Sequence, residues 1–224
     1  MKYLIDSANA ADIKKVLEYF PCEGVTTNPT IISREKGDLK NILKSIRNVI
    51  GDDMQMHAQV MADDFYGMVE DAKALAGFIG GNVYIKLPAN PEGLKACREL
   101  KKEGIGVTMT AVFSPQQALL AARAGADFVA PYVNKYDDVG DGVRLVGEIA
   151  QIYAQFGLET KILSASFRNV EQVTSVALAG SDFITLPPAF FDKLIWHPMT
   201  DLAVKGFEKD WYTVYEKSPE GLLE

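Results

Sequence analysis

The sequence predicts an α/β protein, a (β/α)8 TIM barrel with an additional aromatic-rich helix at its carboxyl end. Three observations predict it. Short β-branched or apolar runs alternate with segments of helical period from one end of the chain to the other. Glycines fall where those helices should stop, at Gly104, Gly125, Gly157 and Gly180, each just before the next run. Eight such units in about 200 residues suit a compact barrel near the lower end of that fold's length. The competing arrangement is a doubly wound open sheet. It would want a glycine-rich phosphate loop after the first strand, where this chain has Asp6-Ser7-Ala8-Asn9.

Taken in order, Tyr3–Ser7 is the first strand, followed by a helix over Ala11–Phe20. Gly24–Asn28 leads to the helix Leu39–Ile50, Met56–Met61 to Tyr66–Ile79, and Val83–Pro88 to Glu92–Lys102. Val107–Phe113 is followed by Ser114-Pro115, an N-cap and a proline in the first turn, which opens the helix Pro115–Ala124. Phe128–Val133 precedes Val143–Phe156, Lys161–Phe167 precedes Val170–Ala179, and Phe183–Leu186 is the eighth strand. The chain is read as one domain over 1–224 whose tail, from about residue 189, forms helices at Ala189–Ile195 and Asp201–Glu216. That tail carries Phe190, Phe191, Trp196, Phe207, Trp211, Tyr212 and Tyr215. So much aromatic area on a terminal helix either caps the barrel or packs on a neighbouring subunit, and the subunit contact is the preferred reading.

Composition removes several classes of function. A net charge of −7 lacks the clustered cations that a nucleic-acid surface needs. No apolar run reaches the roughly 18 to 20 residues of a membrane span, and Met1-Lys2-Tyr3-Leu4 enters structure without a signal-peptide pattern, so a cytoplasmic protein is expected. Cys22 and Cys97 match no metal or redox spacing and read as reduced, partly buried residues. The two histidines, His57 and His197, lie far apart with no zinc-binding spacing, and so few histidines suggest no serine or cysteine triad. His57 reads as a barrel-filling residue, His197 as a turn residue before Pro198. No metal and no cofactor are expected.

In a (β/α)8 barrel the chemistry collects at the carboxyl ends of the strands. Here those ends are polar throughout: Asp6, Thr26 to Asn28, Gln59, Lys86, Thr110, Tyr132 with Asn134 and Lys135, Ser164 and Ser166 with Arg168, and Thr185. Lys86 is the informative member. A lysine between Ile85 and Leu87 is costly unless it is paired or loses its proton. A neutral lysine attacks carbonyl carbon and forms an imine, an electron sink for breaking a carbon–carbon bond. The plainer alternative is a structural lysine in an ion pair with Asp6. Asp6 could move protons for such an imine, or serve as counter-ion or as helix cap before Ala10. Gln59, Thr110 and Tyr132 could hold a water for proton transfer, or merely rigidify the barrel. Ser166, Arg168 and Lys135 could form an anion pocket suited to a sugar phosphate, or be ordinary surface groups.

Four segments carry a family resemblance: Val25-Thr26-Thr27-Asn28-Pro29-Thr30-Ile31-Ile32, Tyr84-Ile85-Lys86-Leu87-Pro88, Ala130-Pro131-Tyr132-Val133-Asn134 and Ser164-Ala165-Ser166-Phe167-Arg168-Asn169. Through them nearly the whole chain resembles the transaldolase family, most closely its short bacterial branch of fructose-6-phosphate aldolases. The resemblance implies that Lys86 is the Schiff-base lysine and Asp6 a proton-transfer residue. It makes Thr26 and Asn28 partners of substrate hydroxyls, and Ser166 with its neighbouring cations the holder of a phosphate. It also implies a homo-oligomer, a pentamer or decamer. Transaldolases resemble one another in a glutamate at the strand-three position and a phenylalanine in the strand-six segment. The aldolase branch has glutamine and tyrosine, as Gln59 and Tyr132 here, which favours an aldolase cleaving fructose 6-phosphate over a transferase of the three-carbon unit. The cations depart from the family pattern: Lys135 stands where arginine is usual, and Arg168 where aldolases carry lysine.

Overall fold

Strands of three to seven residues bury little by themselves, and here they close on one another in chain order. In the computed structural model, which describes Met1–Tyr215, the strands are β1 (Lys2–Asp6), β2 (Gly24–Thr26), β3 (Gln55–Gln59), β4 (Val83–Pro88), β5 (Gly106–Val112), β6 (Phe128–Pro131), β7 (Lys161–Ser164) and β8 (Phe183–Leu186). All neighbours are parallel, and β8 returns to β1 through Lys2↔Phe183 to Ile5↔Leu186, which leaves no open edge. Around them run α1 (Ala10–Tyr19), α2 (Pro29–Arg34), α3 (Leu39–Ile50), α4 (Phe65–Ile79), α5 (Pro91–Lys102), α6 (Pro115–Arg123), α7 (Val133–Tyr136), α8 (Gly142–Phe156) and α9 (Val170–Ala179); in the sequence α10 (Pro188–Ile195) and α11 (Pro198–Val214) follow β8. Covered outside by helices and inside by each other, the strands read as apolar runs and not as alternating ones.

The barrel interior explains where the chemistry sits. Leu4, Phe128, Leu163 and Phe183 pack together with Tyr84 against them. His57 fills the same level, its ring 4.9 Å from Tyr84 and 5.1 Å from Phe128, with Nδ1 2.8 Å from Thr108 Oγ1. Strand side chains alternate faces, so the next inward position lies two residues further on. That step leads from Leu4 to Asp6, His57 to Gln59, Tyr84 to Lys86, Thr108 to Thr110 and Phe183 to Thr185. An aromatic floor thus carries a polar layer at the carboxyl ends.

Two short helices were not expected from the sequence, and both shape that end. The second strand stops at Thr26 instead of Asn28, because the Asn28 side chain accepts the Ile31 N–H at 3.0 Å and Pro29 takes the first turn of α2. After β6 the chain turns into α7, and β7 stops at Ser164 where Phe167 was expected. Ser166 there adopts φ +64°, a left-handed conformation that ends a strand. In β5 the register slips between Thr110 and Val112 around Ala111, at φ +55°. The β4–α5 turn is tight: a β-carbon on Gly93 would overlap the carbonyl oxygen of Pro88. The cap of α1 is Asn9, which accepts from Ala11 and Asp12 at 3.0 and 3.1 Å; Asp6 has no part in it.

The chain divides into a barrel unit, Met1–Phe191, and a second unit from Asp192. Within the first, Phe191 is buried with its ring 5.3 Å from Phe20. Within the second, α11 begins before its expected start because His197 caps it and Pro198 follows. Glu216, placed at its end by the sequence reading, lies outside the described residues. Among the described residues no helix is long and apolar enough to cross a membrane.

Candidate active site

A cavity of about 460 Å³ opens at the carboxyl ends of the strands, and Lys86 reaches it from β4. Lys86 is 6% exposed, and its Nζ donates to the main-chain carbonyl of Thr27 at 2.8 Å. Thr27 is braced in turn, its N–H and hydroxyl both donating to His57 O at 2.9 and 3.0 Å. Among the described residues no direct ion pair joins Lys86 to Asp6. Burial holds the Lys86 amine below the ordinary lysine range, against the opposing pull of the Asp6 charge. The same burial raises Asp6 above the ordinary carboxyl range, opposed by Lys86, by the Thr26 hydrogen bond and by Arg34. Both shifts favour one arrangement of a shared proton: on the Asp6 carboxyl, with Lys86 a neutral amine.

Asp6 belongs to a short hydroxyl chain. Thr26 Oγ1 donates to Asp6 Oδ1 at 2.7 Å, and its distance to Thr185 Oγ1 is 2.6 Å. A threonine hydroxyl has one proton, so with Thr26 donating to Asp6, Thr185 donates to Thr26. Asp6 therefore keeps its second oxygen for the cavity.

On the far side stands Tyr132, whose hydroxyl is 3.2 Å from Thr110 Oγ1. Its ring meets Phe113 edge-on at 5.7 Å, and the Lys135 ammonium lies 5.0 Å from its centroid. Main-chain bonds from Val133 N to Ala165 O and from Asn134 N to Ser166 O, 2.9 and 2.8 Å, tie α7 to the end of β7 and bring Lys135 beside Ser166. Ser166 has no glycine-like freedom at φ +64°, and holding it there costs about 1 kcal/mol.

Of the residues singled out in the sequence, Asp6, Thr26, Asn28, Gln59, Lys86, Tyr132, Lys135 and Ser166 line this cavity together. Thr110 stands behind Tyr132, joined to it by the hydroxyl contact. Arg168 is exposed and outside the lining; its N–H donates to Gln172 Oε1 at 2.7 Å. Arg34 lines the cavity and was not anticipated, since the helix that carries it was not. His57 is fully buried among rings and pushed down to about 3, chiefly by that burial, so it is neutral at physiological pH.

The sequence profile of the family described as Transaldolase/Fructose-6-phosphate aldolase matches residues 3–219. A probable transaldolase of Nitrosopumilus maritimus is 42% identical over 222 residues, 98% of this chain and 99% of its own length. A probable transaldolase of Aquifex aeolicus is 42% identical over 218 residues, 97% of this chain and 99% of its own. The fold alone recurs in a solved flavocytochrome b2 mutant with benzoylformate, at TM-score 0.63 and 12% identity over 85% of this chain; the chain spans 57% of that one. With a profile match and relatives that both run nearly end to end, the chain belongs to the transaldolase/fructose-6-phosphate aldolase family.

Proposed function

We propose that the protein is a class I aldolase that reversibly cleaves fructose 6-phosphate to dihydroxyacetone and glyceraldehyde 3-phosphate through an imine on Lys86. The observation that carries this reading is the setting of Lys86: a buried amine at a cavity wall, bound to an uncharged carbonyl and not to a carboxylate. A neutral amine that donates one N–H to Thr27 O keeps its lone pair for the substrate carbonyl.

The residues then divide the work. Lys86 Nζ adds to C2 of the ketose, and Asp6, holding the shared proton, gives it to the departing hydroxyl so that water leaves and an iminium forms. Asp6, now a carboxylate, accepts the proton of the C4 hydroxyl as the C3–C4 bond breaks. Its electron pair moves toward the iminium, the aldehyde product departs, and an enamine remains. Protonation of that enamine at C3 by a water held among Gln59, Thr110 and Tyr132 regenerates the iminium, which hydrolysis releases as dihydroxyacetone. Thr26 and Asn28 would meet substrate hydroxyls, and Ser166 with Lys135 the anionic end.

A second reading is a transaldolase, favoured by the relatives of 42% identity that bear that name. It shares every step up to the enamine, which then waits for an acceptor aldehyde. Fructose 6-phosphate supplied alone separates the two, since only the aldolase yields free dihydroxyacetone. Borohydride reduction with dihydroxyacetone, followed by peptide mass mapping, tests what they share: an adduct absent from Lys86 sinks both. We further propose that the chain works as a homo-oligomer, a pentamer or decamer. The exposed Leu202, Val204 and Phe207 of α11 support an interface there, and a monomer in light scattering would overturn it.

A further inference from the structure

Two consecutive threonines stand at the end of β2, and they face opposite ways. Strand side chains alternate. With Thr26 Oγ1 reaching inward to Asp6 at 2.7 Å, the Thr27 side chain turns to the outer face of the barrel, where it is fully buried and outside the cavity lining. Its hydroxyl and its N–H both donate to His57 O on β3, at 3.0 and 2.9 Å. The next residue is fixed as well, Asn28 Oδ1 accepting from the Ile31 N–H at 3.0 Å. The peptide between Thr27 and Asn28 is therefore held from both ends, and its carbonyl oxygen has a set direction. That oxygen accepts from Lys86 Nζ at 2.8 Å. Lys86 pairs with Gln59 of β3, so its side chain passes over the end of that strand to reach the end of β2. A lysine amine sits on a flexible stem and, left free, spreads over many rotamers. Anchoring one N–H on a rigid carbonyl narrows the directions that its lone pair can take.

We propose that Thr27 is a positioning residue for the imine chemistry: its hydroxyl, bonded to His57 O, locks the carbonyl that aims the Lys86 amine into the cavity. The inference rests on Lys86 as the imine-forming amine. Thr27 touches no substrate and acts only through Lys86. The two threonines thereby hold both groups of the shared proton from one strand end, Thr26 through its hydroxyl on Asp6 and Thr27 through its carbonyl on Lys86. Positioning of this kind acts on the rate of attack. It also acts on charge, because a carbonyl oxygen binds an ammonium more strongly than a neutral amine. Loosening the anchor should therefore slow attack and at the same time make the proton easier to lose. A general loss of packing would admit water and move the Lys86 titration the other way, since burial is what lowers it.

The test compares wild type with Thr27→Val, which keeps the branched shape and loses the hydroxyl, and with Thr27→Ser, which keeps the hydroxyl. Each is incubated with dihydroxyacetone over a range of pH and quenched with borohydride at timed intervals, and the adduct on the Lys86 peptide is quantified by mass. The rate falls at acid pH as Lys86 takes up its proton. Above that limb Thr27→Val should form the adduct about 3- to 10-fold more slowly, the contribution of one neutral hydrogen bond, and Thr27→Ser should stay within about twofold of wild type. The acid limb itself should move to lower pH in Thr27→Val, by about half a unit, and stay in place in Thr27→Ser. If the valine variant does not fold, Thr27→Ala takes its place with the same expectations. An adduct missing from Lys86 in wild type removes the imine reading itself. With that adduct present, an unchanged rate in Thr27→Val overturns the role of Thr27 alone. So does an acid limb that stays or moves to higher pH, the mark of water entering a loosened core. An equal loss in Thr27→Ser assigns the effect to packing and overturns the role as well.

Discussion

Replacing Lys86 by methionine should abolish turnover and at the same time stabilise the fold, and the second effect is the more discriminating. Methionine keeps the length of the side chain and most of its volume. Lost is one hydrogen bond, from Nζ to Thr27 O, which contributes about 1 kcal/mol. Gained is relief from holding a polar amine where only 6% of the residue meets water, worth about 2 to 3 kcal/mol. The net is stabilisation of about 1 to 2 kcal/mol, or about 2 to 8 °C in Tm for a chain of this size. Its pH dependence has a definite sign. Lys86 is held below its unfolded value by burial, so between the folded and unfolded values the folded chain binds fewer protons than the unfolded one. The resulting cost is present below the unfolded lysine pKa of about 10.4 and fades as pH rises toward it. The Tm gap between variant and wild type should therefore be widest near neutrality and narrow toward pH 10, which calorimetry or circular dichroism measures directly. If Lys86 instead formed a stabilising ion pair with Asp6, its removal would strand a buried carboxylate and destabilise by about 3 to 5 kcal/mol. A variant that melts below wild type at pH 7 refutes the neutral amine.

Thr26→Val removes the donor that favours the Asp6 carboxylate, so the alkaline limb of the kcat/KM profile should move to higher pH while the acid limb, set by Lys86, stays; a shifted acid limb would reverse the assignment. Tyr132→Phe should lower release of free dihydroxyacetone from fructose 6-phosphate by about 100-fold while transfer to an added aldose phosphate persists, and parallel loss of both would remove Tyr132 from the protonation step. His57 is neutral in the fold down to about pH 3, so the unfolded chain gains a proton first as pH falls below about 6.5. Wild type should lose about 3 kcal/mol by pH 4 on this account. His57→Phe should flatten that slope in urea melts, and an unchanged slope would mean that His57 titrates freely in the fold.

What the sequence made legible follows from the lengths of the periodic segments. The β4 and β8 boundaries are those expected, Val83–Pro88 and Phe183–Leu186: Gly81-Asn82 and Ala89-Asn90 flank the first, and Ser181-Asp182 and the proline pair Pro187-Pro188 the second. The polar strand ends were legible as well, since a side-chain period of two places them without any knowledge of loops. Missing from the reading were α2 and α7, of six and four residues, too short for a helical period to declare itself. The cap and proline at Asn28-Pro29 did announce α2, but Asn28 was read as the last residue of the strand and no helix was placed after it. That single misreading hid Arg34, because a residue in an unstructured loop has no predictable direction.

The arrangement below the site bears on why Lys86 can lose its proton at all. The ring of His57 sits in the layer beneath it, between Tyr84 and Phe128, and its Nδ1 is engaged by Thr108. A charged imidazole there would have only hydroxyl and amide partners, Thr108 and Gln55, and no carboxylate, so its neutral form is the stable one. The floor of the barrel is therefore polarisable and hydrogen-bonded but carries no charge. Two facing groups supply the bias on Lys86: Asp6, which would restore the ammonium, and Arg34, which holds Asp6 toward its carboxylate form. Burial opposes both and prevails, the largest influence on each group.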